Sequence, residues 1–292
     1  MGIYEILAYF FVYGVLGWCV EVAFAAVKEG RFVNRGFLNG PICPIYGVGV
    51  VSVIFSLQGF SESLLILYLA SAVLVTFIEW LTGYVMDRIF HQKWWDYSGQ
   101  PLNIGGYVCL PFSLIWGVFC VFIVKCFQPL VAHLIGYIPH IAGNVILVIL
   151  SIAMLADLYV TASAILKLNK RLEAMEKIAA ELREFSDRMG ENIYENVKDG
   201  MEKEEQLKSK VASMKEVRKE LRAEYSAGKE EWYKSQQQKL DELKGRYDSL
   251  VNGLESVGER LVKAFPNMES RIHKDALREV KKRVAMRRNK RK

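Results

Sequence analysis

The sequence predicts an all-α, polytopic membrane protein with five transmembrane helices, followed by a long cytoplasmic, coiled-coil-like helical region. Three observations predict it. The 52% hydrophobic and 24% charged residues are segregated, with long charge-poor blocks up to about Leu166 and dense Lys, Glu, Arg and Asp beyond Lys167. Five of these blocks approach or reach the roughly 20 apolar residues that cross a hydrocarbon core of about 30 Å. Beyond them, apolar residues recur at helical spacings of three and four. The expected organisation is a five-span domain over 1–166, a helical region over 167–265 and a basic tail over 266–292.

The spans are expected at Ile3 to Val27, Pro41 to Leu57, Leu64 to Met86, Tyr107 to Phe127 and Ile141 to Leu166. The first lacks a basic leader and an A-x-A site, which favours a retained span over a cleaved signal. Basic residues flank alternate span ends: Lys28, Arg31 and Arg35, then Arg88 and Lys93, then Lys167, Lys170 and Arg171. The positive-inside rule therefore predicts the N-terminus outside and the C-terminus inside.

Two connectors on the inner side are unusual. VNRGFLNGPICPIYG, Val33 to Gly47, holds an arginine, two asparagines, three glycines and two prolines. Gly40 and Pro41, then Pro44, put proline in the first turn of the second span, where a missing amide donor costs little. The second connector, DRIFHQKWWDYSGQPLNIGG, brings Gly105, Gly106 and Pro111 to the start of the fourth span. From Glu21 and from Glu79 the chain reads acid, Leu-Asn, glycine, cysteine and proline in the same order, which raises a parallel repeat as one reading. Chance recurrence of common residues is the other.

Glu21, Glu79 and Asp157 are acids within expected spans. A carboxylate there costs roughly 2.5 to 3.5 kcal/mol at a helix centre, so it faces protein or water. Each falls about 9 to 14 Å from its inner span end at ~1.5 Å per residue. Three acids at one depth, above Asn34, Arg35, Trp95, Asp96 and Asn103, outline a polar cluster that binds a solute or ion, or that simply holds the bundle together. Arg35 is placed to pair with an acid, and the Trp-Trp pair reads either as a headgroup anchor or as a docking point.

The elements GWCVE at Gly17 to Glu21, NRGFLNGPICPIYG at Asn34 to Gly47, EWLTG at Glu79 to Gly83, WWDYS at Trp94 to Ser98, NIGGYVCL at Asn103 to Leu110 and SLIWG at Ser113 to Gly117 carry a resemblance. As a set they resemble the bacterial membrane family named ABC-transporter type IV, over residues 1–166. The resemblance implies a permease of the cytoplasmic membrane that works with a separate ATPase. No GxxxxGK[ST] run is present, so that ATPase is expected on another polypeptide.

Other chemistry has no motif. The five cysteines form no C-x-x-C, the four histidines are scattered, and no metal site, cofactor or enzyme activity is expected. In the second half, Leu172, Met175, Ala179, Leu182 and Met189, and a second run from Leu207 to Leu261, have a/d-like spacing that serves a homo-oligomer, a helical partner through 168–261, or a helix folded on itself. Glycines at 190, 200, 228, 245, 253 and 258 favour several helices or a hairpin over one rod, and Phe265-Pro266 is expected to end the last segment. The stretch from Arg271 to Lys292 has eleven Lys or Arg against two acids and suits anionic lipid headgroups, with nucleic acid the weaker rival because no binding fold accompanies it.

Two function classes follow. One is a permease-like transport protein with a cytoplasm-facing cavity at the acids; the other is a membrane-anchored coiled-coil scaffold without transport. Five spans are few for a lone carrier, yet costly acids and shaped loops fit an anchor poorly.

Overall fold

The computed structural model describes residues 2–57, 59, 62–210 and 215–289. Its helices follow the apolar runs. Helix α1, Ile3–Glu29, is apolar on all faces and stops where Gly30 turns left-handed (φ 66°), its amide closing on the Ala26 carbonyl at 2.9 Å. Helix α2, Pro44–Leu57, has 14 residues and is about 21 Å long, short of a full crossing. It starts later than the apolar run because residues 41–43 lie outside it, with the Cys43 amide donating to the Gly14 carbonyl of α1.

Helix α3, Leu64–Phe90, is capped by Ser63 and ended by His91 in the left-handed region. Strand β1, Gln92–Lys93, follows, then a small hairpin of β2, Asn103–Ile104, and β3, Val108–Cys109. Helix α4, Leu110–Phe122, carries Pro111 in its first turn and passes through a π-helical stretch, Ile123–Phe127, into α5, Gln128–Gly136. The loop expected from Gln128 to His140 is therefore mostly helix. Pro129 sits in the first turn of α5, where it need not break the chain's path. Helix α6, His140–Lys210, then runs for 71 residues.

Among the described residues four helices are long and apolar enough to cross a membrane, Ile3–Glu29, Leu64–Phe90, Leu110–Gly136 and the one beginning at His140, with α2 a shorter apolar helix beside them. α1 packs on α2, α2 on α3, and α3 on α4. Close approach explains two glycines: a Cβ on Gly47 would meet the Phe10 carbonyl at 2.5 Å, and one on Gly117 would meet Ala72 at 2.9 Å. A core of Tyr9, Phe11, Tyr13, Leu38, Val50 and Leu147 fills the centre. Outward faces remain apolar, with Val73 72%, Val118 60% and Ile149 60% exposed, a surface that water would not tolerate over that area. The chain is a multi-pass membrane protein.

The chain divides into two compact units, Met1–Asn169 with Glu255–Lys292, and Lys170–Leu254. The second consists of the rest of α6 and of α7, Lys215–Asn252. Gly190, Gly200, Gly228 and Gly245 lie inside these helices, because a cost of about 1 kcal/mol per glycine is offset by the strong helix formers around it. Lys239 lies over the Phe185 ring, and Arg171 donates to the Gly253 carbonyl, an antiparallel register with equal steps in both directions. The part of the apolar run between Leu207 and Tyr225 falls on residues 207–225, whose side chains lie outside the description.

The C-terminal stretch belongs to the first unit. It forms α8, Ser256–Ala264, β4, Glu269–Ser270, and α9, Lys274–Asn289. β4 pairs antiparallel with β1, placing Gln92 opposite Ser270. The basic stretch includes an amphipathic helix whose Ala276, Leu277, Val280 and Val284 are buried. The Lys281 ammonium caps the Pro266 and Met268 carbonyls, and burial holds its pKa down against the opposing pull of Glu269.

Candidate functional site

The first polar loop is built around Asn34. Its Oδ1 accepts from the Trp18 indole (2.8 Å) and from the Gly36 amide (3.0 Å), and its Nδ2 donates to the Asn39 carbonyl (2.8 Å). Asn39 Nδ2 then donates to Asp157 Oδ1 (2.7 Å) and to Thr161 Oγ1 (3.1 Å), while the Gly40 amide donates to Asp157 Oδ2 (2.7 Å). Asp157 therefore commits both oxygens to pinning this loop onto α6. It is a loop anchor, and the three expected acids do not share one arrangement.

Glu21 faces the same loop from α1. The Tyr46 hydroxyl donates to its Oε1 at 2.6 Å, and Arg35 Nε lies 3.5 Å from its Oε2 in an ion pair without a hydrogen bond at that nitrogen. Arg35 also lies over the Phe24 ring at 5.2 Å. The expected cation–acid pair is formed, with both side chains 27% exposed.

The second polar loop repeats the plan with different chemistry. Asp96 Oδ1 accepts from the Ser98 amide (3.1 Å) and hydroxyl (2.5 Å), bonds that hold its carboxyl below the usual range. Asn103 Nδ2 donates to the Ser98 and Gln100 carbonyls, and its Oδ1 accepts from the Gly106 amide. Gly105 and Gly106 have φ of 63° and 76°. A Cβ at Gly106 would lie 2.5 Å from both Asp96 Oδ1 and Ser98 Oγ, so the turn requires glycine twice over. Trp95 donates its indole N–H to the Tyr107 carbonyl at 2.8 Å. Trp94 is 5% exposed, wedged between Phe37 (5.2 Å) and Phe265 (5.0 Å), so it is no headgroup anchor.

Glu79 is the outlier. It is 9% exposed in the middle of α3, Tyr97 donates to its Oε1 at a long 3.4 Å, and its Oε2 has no hydrogen-bond partner among the described residues. The Tyr97 hydroxyl is pushed up first by burial and then by the charge of Glu79, with Glu21 adding to it. Tyr97 stacks on Phe112 (5.0 Å) and Tyr46 meets Trp116 edge-on (5.9 Å), so apolar rings of α4 wall both tyrosines.

Two arginines complete the loops, and no local pattern announces either because their partners lie far away in sequence. Arg260 of α8 donates from Nε to Asn39 Oδ1 (2.9 Å), from Nη1 to the Gly36 (2.9 Å) and Asn34 (3.5 Å) carbonyls, and from Nη2 to the Phe37 carbonyl (2.9 Å). Burial lowers its pKa and the Asp157 charge opposes that. Arg271 lies 2.5 Å from Asp87 Oδ2 and donates to the Tyr107 hydroxyl (2.6 Å), which itself donates to Asp87.

A family model described as "Putative ABC-transporter type IV" matches residues 8–162, more than half of the sequence. The chain belongs to this family. No curated protein and no solved structure matches it. Within the matched ABC-transporter-type stretch lie Glu21, the Asn34–Gly40 loop, Glu79, the Trp95–Gly106 loop and Asp157, whereas Arg260 and Arg271 lie beyond it. A separate apolar cavity of about 310 Å³, lined by Ile3, Tyr4, Leu7, Leu147 and Leu155, touches α1 at least 14 residues from Glu21, about 21 Å along the helix. Among the described residues no group of three His, Cys, Asp or Glu is arranged to hold a metal.

Proposed function

We propose that this chain is a permease-type subunit of the bacterial cytoplasmic membrane, with its N-terminus outside, its C-terminus inside, and a cytoplasm-facing polar site at Glu21 and Glu79. A separate ATPase subunit supplies the energy. The observation that carries the reading is Glu79: a carboxylate buried in a spanning helix, with one long hydrogen bond and one unpartnered oxygen. Such a group costs several kcal/mol unless a cation, a proton or a polar solute meets it. An anchor has no reason to bear that cost. Arg35 beside Glu21 gives the site a mixed-charge rim suited to a small polar solute or ion.

The test is purification of the full chain from native membranes under mild detergent. Recovery of an ATPase subunit in fixed ratio, with ATP hydrolysis that Glu79→Gln abolishes while the complex persists, is the expected result. Hydrolysis unchanged in that variant removes the site from the mechanism.

A second reading has one observation behind it. In the helical hairpin, Ile193 (37%), Tyr194 (70%), Val197 (52%) and Met201 (68%) are exposed at spacings of one, four and eight residues, one apolar stripe suited to a helical partner or a second copy. Recovery of such a partner without any ATPase favours the scaffold. The basic residues of α9 lie, in either reading, on the side of the anionic inner leaflet.

A further inference from the structure

Carbonyl oxygens at a loop rarely converge without a ligand. In the Asn34–Gly40 loop the carbonyls of Asn34, Gly36 and Phe37 and the amide oxygen of Asn39 all point at one guanidinium, that of Arg260. Five N–H groups in a planar fork match such a set, and an ammonium does not. The same C-terminal stretch delivers a second guanidinium to the other loop, where Arg271 meets Asp87 and Tyr107 while its amide donates to the His91 carbonyl (3.0 Å). Between the two, Phe265 packs on Trp94, which packs on Phe37, so one ring stack joins both loops to this stretch. Each loop is followed within a few residues by a buried cysteine, Cys43 or Cys109, and by a helix that carries or walls a site tyrosine.

We propose that Arg260 and Arg271 are positioning residues, which the C-terminal stretch inserts into the two polar loops to hold them closed beside Glu21 and Glu79. Undocking of Arg260 frees the first loop from its carbonyl cage and leaves Asp157 as its anchor. Undocking of Arg271 frees β1 and the hairpin that precedes α4. The stretch 255–289 is then a two-point clasp on the loops of the site, and access to the carboxylates follows its docking. The proposal rests on the permease reading for its purpose, but not for its test, which reads thiols and needs neither ATPase nor substrate.

The experiment is peptide-resolved maleimide labelling of the full chain in lipid nanodiscs, following Cys43, Cys109 and the buried Cys120 of α4. Arg260→Ala is expected to raise Cys43 labelling about tenfold or more, the scale of losing a charge-assisted bond, with Cys120 unchanged. Guanidinium chloride below its denaturing range should restore protection, and Arg260→Lys should stay as open as the alanine variant. Arg271→Ala should open Cys109 and spare Cys43. Wild-type labelling of Cys43 and Cys109 in both alanine variants overturns the clasp. So does a joint rise of all three thiols in Arg260→Ala that guanidinium does not reverse, since that is general loosening. Rescue by lysine equal to arginine also overturns it, because any cation would then serve.

Discussion

The two polar loops follow one plan and end with opposite electrostatics. In the first half, Glu21 has a short bond from Tyr46 and a cation beside it in Arg35. In the second, Glu79 has a long bond from Tyr97 and a bare oxygen, and the cation of that half, Arg271, is taken by Asp87, about two turns further along α3. The difference teaches that depth in the membrane does not decide what an acid does. Partners decide it. Glu21 and Asp157 are satisfied, and Glu79 and Asp87 each keep one oxygen without a hydrogen-bond partner among the described residues, but Asp87 has the Arg271 counter-charge and a tyrosine on its other oxygen, whereas Glu79 has only the long bond from Tyr97.

The largest effect expected to break this comparison comes from its two cations. Arg271→Ala leaves Asp87, 3% exposed, without its counter-charge, and should cost about 3 kcal/mol, at the low end for a broken buried pair because Arg271 itself is half exposed. Arg35→Ala leaves Glu21 its tyrosine and partial hydration, and should cost under about 1 kcal/mol. Unfolding midpoints in mixed micelles measure both, and Asp87→Asn in the Arg271→Ala background should return part of the loss. Equal costs for the two arginines would mean the halves are electrostatically alike.

The next test concerns the acids themselves. Glu21→Gln weakens a short charge-assisted bond and an ion pair and should destabilise by about 1 to 2 kcal/mol. Glu79→Gln removes a poorly partnered buried charge and should be neutral or stabilising by about 1 kcal/mol. Opposite signs in the same assay support the assignment of Glu79 to function over structure. Loss of stability in both variants makes Glu79 a structural acid.

Much of this was legible in the sequence because it rests on local composition. Apolar runs marked all five apolar helices, although the second is too short to cross and the fourth runs on to Gly136, nine residues past its expected end, and Gly-Pro and Gly-Gly marked loops that do hold special backbone shapes, down to the positive φ of Gly105 and Gly106. The acid that Arg35 pairs with is Glu21. What stayed hidden is long-range. Nothing near Asp157 in sequence shows that it binds residues 39 and 40, and nothing near Arg260 shows that it binds 34 to 39, because the pairing depends on how the chain returns after the helical hairpin. The apolar run begins three residues before α2 because Pro41, Ile42 and Cys43 are apolar, and hydropathy cannot report that the Cys43 amide bonds to α1 instead of to its own helix. The packing of the basic stretch stays hidden for a related reason: its charges dominate the composition, while the four buried apolar residues that seat α9 are a minority.

A finer contrast lies in the two tyrosines. Tyr46→Phe deletes a 2.6 Å bond to Glu21 inside a packed interface and should cost about 1 to 2 kcal/mol, whereas Tyr97→Phe deletes a 3.4 Å bond and should stay within about 0.5 kcal/mol. If Tyr97→Phe proves the more costly of the two, the long bond to Glu79 tightens in the membrane and Glu79 is better satisfied than its geometry shows.

The smallest expected effect separates the loops by pH. Each is closed by the same local device, a side-chain oxygen accepting the amide two residues on: Asn34 from Gly36 in the first, Asp96 from Ser98 in the second. Asn34 cannot titrate. Asp96 can, and its bonds to Ser98 hold its folded pKa below the roughly 3.9 of an unfolded aspartate. A depressed folded pKa contributes stability that is present above the unfolded value and is lost as pH falls through the folded one, so the second turn should loosen only below about pH 4. Because Asp96 is exposed, the loss is local and modest, and it is best read by exchange of the Ser98 amide against that of Gly36, each corrected for intrinsic rate. Ser98 should lose protection in acid while Gly36 keeps it, and Asp96→Asn should abolish the pH dependence. Parallel loss at both amides would show that acid opens the loops together, through a shared element such as the C-terminal clasp, and not through the turn.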